Sequence, residues 1–244
     1  VTKKKKLMKR IGFILIAVII LISLSAFIFL KINTYKPLEE ASDMLDLPNV
    51  TETADWIKLS QNEPEVRLVF YPGGLVEPVS YVPLLEPLTD EGYEVFIIKM
   101  PLNLAILNAD AIEDVQESEP TELPTYLSGH SLGGASASIY LSDVPEAVDG
   151  LVFLGAYPAE NNDLSAVDFP VVSITASNDT ILNWESFETS QSLLPEDTTY
   201  NVIEGGNHAN FGSYGKQDGD GENTISREEQ QTTTRRIFTD LIGK

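Results

Sequence analysis

Cysteine is absent from the 244-residue sequence, which excludes disulfides, a cysteine nucleophile and thiolate metal sites. Histidine is nearly absent. His130 and His208 are the only two, too few for a multi-histidine metal centre, although an all-oxygen cation site stays open. Basic residues are scarce over most of the chain. Of 16 Lys and Arg, seven (Lys3, Lys4, Lys5, Lys6, Lys9, Arg10 and Lys31) fall in the first 31 positions, where there is no acid. From position 32 onward nine basic residues face 37 acids, a net charge of −28. Such a body repels phosphate backbones and anionic headgroups, which excludes nucleic acid as a partner. What is present is a globular balance, 43% hydrophobic and 22% charged, at a length that suits one large domain with an appendage.

The appendage is residues 11–30, IGFILIAVIILISLSAFIFL, twenty residues without a charge. At 1.5 Å per residue such a helix matches the roughly 30 Å hydrocarbon core of a bilayer. The cations before it predict a cytoplasmic N-terminus and an extracytoplasmic body. The apolar core exceeds the roughly 7–15 residues of a signal peptide, and Ser23-Leu24-Ser25 imitates a cleavage site only weakly. The reading is a single-pass anchor in the cell membrane, with secretion after cleavage as the alternative. The organisation expected is a basic segment over 1–10, an anchor over 11–30, a stalk over 31–50 that runs into a short helix, and one folded domain over 51–244.

In that domain, apolar β-rich runs alternate with helical patterns. The runs are 66–71, 93–99, a short one at Tyr126-Leu127, 151–154, 171–175 and 200–203. Helical spacing marks 79–90, 132–141, 184–194 and 227–242. This is the pattern of an α/β domain built on a mostly parallel sheet covered on both faces.

Chemistry concentrates at the ends of the strand-like runs. Gly129-His130-Ser131-Leu132-Gly133 is a G-x-S-x-G sequence between a short strand and a helix. A serine presented from so sharp a turn needs small residues two positions to either side. By composition alone the pentapeptide arises in about one chain in ten of this length, and Ser131 could then be a plain helix cap. Its company argues for more. A nucleophilic serine needs a base. His130 adjoins Ser131 and is expected to point elsewhere, so His208, in the glycine-rich turn after the last run, is the candidate. Asp179 follows the 171–175 run and is the candidate to orient that imidazole; Asp163 and Asp168 precede the run and fall on the wrong edge. Tyr71-Pro72-Gly73-Gly74-Leu75 ends another apolar run. One of Gly73, Gly74 and Leu75, with Gly74 favoured, is expected to join the N–H of Leu132 in holding an oxyanion.

The segments FYPGGLVEPVSY (70–81), KMPLNLA (99–105), SGHSLGGA (128–135) and EGGNHANFGSYGKQDGDG (204–221) resemble the α/β-hydrolase fold family, in its general branch with dienelactone-hydrolase-like affinities. The resemblance runs from Pro37 to Ile242. It implies an α/β-hydrolase fold of about eight strands, the order serine, acid, histidine realised as Ser131, Asp179 and His208, and ester hydrolysis by a serine nucleophile. Dienelactone hydrolases use cysteine, so that activity is not implied. The short interval between the 151–154 and 171–175 runs leaves little or no room for a cap domain. The acidic loop Asp218-Gly219-Asp220-Gly221-Glu222 fails the EF-hand spacing, and neither a metal nor a cofactor is expected. The function expected is a carboxylesterase acting on small or medium neutral esters. The same residues suit an acyltransferase, thioesterase or peptidase, and a non-catalytic envelope binding module is the remaining class.

Overall fold

The computed structural model describes residues 2–61 and 63–241. The side chains of Lys3, Lys4 and Lys6, part of the basic cluster, lie outside the described residues, as does Ile242, the expected end of the last helix. The chain forms two compact units, residues 1–34 and 35–244. The first is helix α1 (Thr2–Ile32). Its stretch Leu7–Ile32 has a mean hydropathy of 3.2 and is not buried against protein, and it is long and apolar enough to cross a membrane.

The second unit is built on an eight-stranded sheet ordered β1-β2-β4-β3-β5-β6-β7-β8. These strands are β1 (Val50–Glu52), β2 (Trp56–Leu59), β3 (Val66–Tyr71), β4 (Tyr93–Ile98), β5 (Thr125–His130), β6 (Gly150–Leu154), β7 (Val171–Ala176) and β8 (Thr199–Ile203). From β4 to β8 every pairing is parallel, whereas β1 and β2 join antiparallel. The helices of this unit are α2 (Glu39–Asp43), α3 (Val82–Leu85), α4 (Ala111–Ser118), α5 (Leu132–Asp143), α6 (Trp184–Ser190) and α7 (Arg227–Leu241).

Side chains alternate across the pleat and divide the core in two. Leu68, Phe70, Val95, Ile97 and Leu154 face Val82, Leu85 and Phe238 of α3 and α7. Val69, Tyr71, Phe96, Leu127 and Phe153 face Ile112, Val115, Ala137 and Leu141 of α4 and α5. Each fully buried Val, Leu, Ile or Phe among them contributes about 1.5–3 kcal/mol.

Three features differ from the sequence reading. Strands β1 and β2 lie in stretches with no apolar run; β2 is held by pairing with β4 on the far side of β3 in sequence. Helix α4 falls in a stretch without clear periodicity, yet it buries Ala111, Ile112 and Val115. The expected stalk over 31–50 is divided. From Tyr35 onward the chain belongs to the folded unit, where the Tyr35 N–H bonds Leu75 O at 2.7 Å, the Leu38 N–H bonds Ser213 O at 2.8 Å, and Ala41 is fully buried. Between β6 and β7, residues 155–170 form neither helix nor strand, as the absence of a cap requires.

Candidate active site

Parallel pairing sets the carboxyl ends of β3, β5, β6, β7 and β8 along one edge of the sheet. The turns that leave this edge carry all the candidate residues. Ser131 follows β5 directly with φ 52° and ψ −120°, a strained conformation for a residue with a side chain. Its N–H bonds Leu154 O at 2.9 Å. The flanking glycines are steric necessities. A Cβ on Gly129 would lie 2.4 Å from the Gly133 carbonyl carbon, and one on Gly133 would lie 2.0 Å from Tyr71 O. Ser131 itself is half-buried.

His208 Nδ1 lies 2.7 Å from Asp179 Oδ2, and both side chains are buried. Asp179 keeps its other oxygen, Oδ1, for the backbone N–H groups of Ile181 (2.9 Å) and Leu182 (2.8 Å). That double acceptance fixes the carboxylate plane. A carboxylate at Asp179 accepts from His208 Nδ1–H, which leaves Nε2 as the basic nitrogen. That nitrogen is buried and has no hydrogen-bond partner among the described residues. Gly155 separates these groups from the serine turn. A Cβ there would come within 3.1 Å of His208 Nδ1 and 3.3 Å of Asp179 Oδ2, and the residue before it receives the Ser131 N–H. Ser131 and the Asp179–His208 pair therefore flank one backbone segment. No hydrogen bond joins the Ser131 hydroxyl to His208.

In the turn after β3 the three candidate N–H groups differ in their bonding. The Gly73 N–H donates to Tyr81 Oη at 2.9 Å, and the Leu75 N–H donates to Asn103 O at 2.7 Å. Gly74 has no such bond, and a Cβ on it would lie 3.1 Å from the Leu132 side chain. Leu132 opens α5, so its N–H has no partner within the helix. Gly74 and Leu132, whose N–H groups have no hydrogen-bond partner among the described residues, are thus neighbours, and Leu132 directly follows Ser131. Leu75 in this turn has φ 58°, and Leu102 and Asn103, in the segment after β4 that accepts its N–H, both have φ 55°.

Four contributors were not visible in the sequence. Gln230 of α7 accepts the Asn207 N–H at 3.0 Å and donates to Asn207 O at 2.8 Å. Asp220 accepts the N–H of Ala209 at 2.8 Å and of His208 at 3.3 Å. This is the use made of a carboxylate in the acidic loop. His130, expected to point away, instead lies with its ring centroid 4.4 Å from that of His208, and Tyr81 bonds it. Each depends on side-chain direction or long-range packing; only Gly206, where a Cβ would meet Gln230 Oε1 at 2.5 Å, left a trace in the glycine pair before His208.

Residues 67–232 match the family described as the Alpha/beta hydrolase family. No curated protein matches the chain. Among solved structures, an α/β hydrolase enzyme from the metagenome of lagoon sediments at Mar Chica, Morocco, is 19% identical. It covers 78% of this chain and 98% of its own, with a TM-score of 0.59. A dienelactone hydrolase from Anabaena variabilis is 15% identical over 80% of this chain and 97% of its own, at 0.59. A membrane phospholipase A described as a bacterial virulence factor is 12% identical over 96% of this chain and 100% of its own, at 0.62. At these identities the structures speak for the fold, while the match across two thirds of the sequence speaks for descent: the chain belongs to the α/β hydrolase family.

Proposed function

We propose that this protein is a membrane-anchored, extracytoplasmic serine hydrolase, a carboxylesterase that cleaves small or medium neutral esters through an acyl-enzyme on Ser131. The reading is carried by one observation. His208 is bonded to Asp179 through Nδ1 while its Nε2 is left buried and unpartnered across Gly155 from the Ser131 turn.

In this mechanism the Ser131 hydroxyl oxygen attacks the ester carbonyl carbon and its proton passes to His208 Nε2. The carbonyl electron pair moves to oxygen, and that oxyanion accepts the N–H groups of Leu132 and Gly74. When the carbon–oxygen bond to the alcohol breaks, the imidazolium returns the proton to the departing oxygen. Water then attacks the acyl-enzyme, again giving a proton to Nε2, and the acid leaves as Ser131 recovers its hydrogen. Asp179 holds the Nδ1–H tautomer throughout.

Exposed apolar side chains at Leu102, Ile106 and Leu107 lie on the loop that Asn103 ties to Leu75. They support an apolar acyl group, and the net charge of −28 beyond position 31 opposes anionic substrates. The apolar span of α1 and the cations before it support an anchor with its N-terminus in the cytoplasm. Transfer to an acceptor other than water uses the same groups, so the assay panel includes a thioester, an amide and an added alcohol.

The test is active-site labelling of the full chain with a fluorophosphonate. Wild type is expected to label and to hydrolyse a neutral ester, and Ser131→Ala to lose both by a factor on the order of 10⁴ or more. Labelling that survives the substitution removes Ser131 from its role. A protein that binds esters without turnover is the non-catalytic module instead.

A further inference from the structure

His130 and Tyr81 take no part in the steps above, yet both are buried against the groups that do. The His130 ring packs on His208 at 4.4 Å between centroids and on Phe211 at 5.6 Å. Its Nδ1 lies 2.8 Å from Tyr81 Oη, and that same oxygen accepts the Gly73 N–H at 2.9 Å. Residue 73 has to be glycine for the two to meet, since a Cβ there would come within 2.8 Å of Nδ1 and 2.9 Å of the hydroxyl. The Tyr81 ring is in turn held by Phe70, 4.8 Å away.

The direction of the protons follows from the bonds. Burial keeps the Tyr81 phenol protonated, raised far above its ordinary value. Burial above all, and then the nearby His208, hold His130 well below the ordinary imidazole value, with the His208 backbone acting the other way. His130 is therefore neutral. Donation from the phenol to Nδ1 leaves no proton unpaired at Tyr81 and puts the His130 hydrogen on Nε2.

We propose that Tyr81 and His130 are positioning residues, a single hydrogen-bonded strut that spans from the base His208 to the Gly73–Gly74 backbone and aims the Gly74 N–H at the reacting carbonyl oxygen. The inference rests on the roles of Ser131, His208 and Gly74 proposed in the preceding subsection. Its logic is that of the peptide plane. Binding the Gly73 N–H to a fixed phenol orients the turn whose next N–H, that of Gly74, is free. Packing a neutral ring against His208, tilted by 43°, braces the imidazole without placing a second positive charge beside the imidazolium that forms. Loss of an oxyanion donor costs about 10²–10³ in turnover, so a donor that is present but misaimed costs somewhat less.

Two measurements on the full chain test this. In steady-state hydrolysis of a neutral ester, Tyr81→Phe removes only the hydroxyl and is expected to lower kcat by about 10–100-fold, with KM changed little and fluorophosphonate labelling slowed in parallel. His130→Phe keeps a ring but no acceptor and is expected to do the same. The double variant is expected to be no worse than the more impaired single one, because the pair acts as a unit. Wild-type kcat in Tyr81→Phe, a change confined to KM, or losses that multiply would overturn the strut. The second measurement needs no variant. With two histidines in the chain, ring ¹⁵N spectra of the wild type are expected to show His130 as the Nε2–H tautomer, unprotonated from about pH 8 down to about pH 6. An Nδ1–H tautomer overturns the proposal. Hydrolysis that persists in Ser131→Ala would instead sink the serine mechanism, whereas Ser131-dependent hydrolysis indifferent to Tyr81→Phe would sink the strut alone.

Discussion

Two buried polar clusters, one at each edge of the sheet, are treated in opposite ways. At the amino edge, Arg67 and Glu94 face each other in the register of β3 and β4, both buried. Arg67 places Nε and Nη2 on Glu94 Oε1 at 2.7 and 2.6 Å, gives Nη1 to Glu119 O at 2.6 Å, and lies 4.9 Å from the Phe96 ring centre. Lys58 adds a contact to the second oxygen of Glu94 at 3.6 Å. These charges are complete without a ligand. At the carboxyl edge, Ser131 and Leu75 hold positive φ, and both histidine Nε2 atoms are buried without hydrogen-bond partners among the described residues. Satisfied ions belong to architecture; open donors and acceptors held in strained turns leave a place for something to bind.

That contrast can be broken at either edge. The largest effect is expected at the carboxyl edge. In Asp179→Asn the remaining oxygen still suits the Ile181 and Leu182 N–H groups, but the amide presents hydrogens to His208 Nδ1. The imidazole must then carry its own hydrogen on Nε2 and cannot accept from Ser131. Turnover is expected to fall by about 10⁴ with the melting temperature almost unchanged, as measured by ester kinetics alongside calorimetry. Near-wild-type rates would point to another acid.

The amino edge is expected to respond in the reverse sense. Glu94→Ala leaves the Arg67 guanidinium buried beside an absent partner, a loss of about 3–5 kcal/mol in stability. Rates per labelled active site are expected to hold. Urea denaturation together with active-site titration separates the two quantities, and a stability loss under about 1 kcal/mol would mean the pair behaves as an exposed one.

The smallest effect sharpens the comparison by pH. His130 is held neutral in the folded chain, while in the unfolded chain it takes a proton near about pH 6.5. Below that pH, and above the lowered native value, the unfolded state binds one proton more, so stability falls as pH falls, by roughly 1 kcal/mol per pH unit. The groups facing His130 are Tyr81 and His208, with Asp179 behind the latter. Melting curves across this range are expected to lose that slope in His130→Phe; parallel slopes for the two proteins would exclude His130 as its source.

Much of this could be read along the chain. Strands β3 to β7 coincide with apolar runs to within a few residues because a parallel strand buried on both faces has no polar side to show, while the largely exposed edge strand β8 coincides with the run at 200–203. The serine turn was legible because its glycines answer a local steric demand. That Asp179 and His208 come together was legible for a topological reason, each following the carboxyl end of its own strand, and the 2.7 Å contact is what such a placement permits. Strands β1 and β2 were not legible, since their pairing is with a distant segment and their sequences carry Thr51, Glu52 and Lys58. Nor was the orientation of His130, for the rotamer of a residue at a strained turn is decided by packing from Tyr81, Phe211 and His208, none of them close in sequence.

The grip of Gln230 on Asn207 bears on how the protein comes into being. A ribosome that has delivered Ser131, Asp179 and His208 has released every group of the proposed mechanism, but not the helix that steadies the loop bearing the imidazole. On the proposed mechanism, reactivity then waits for α7 to fold, and a nascent chain that has not yet placed α7 carries an unassembled serine.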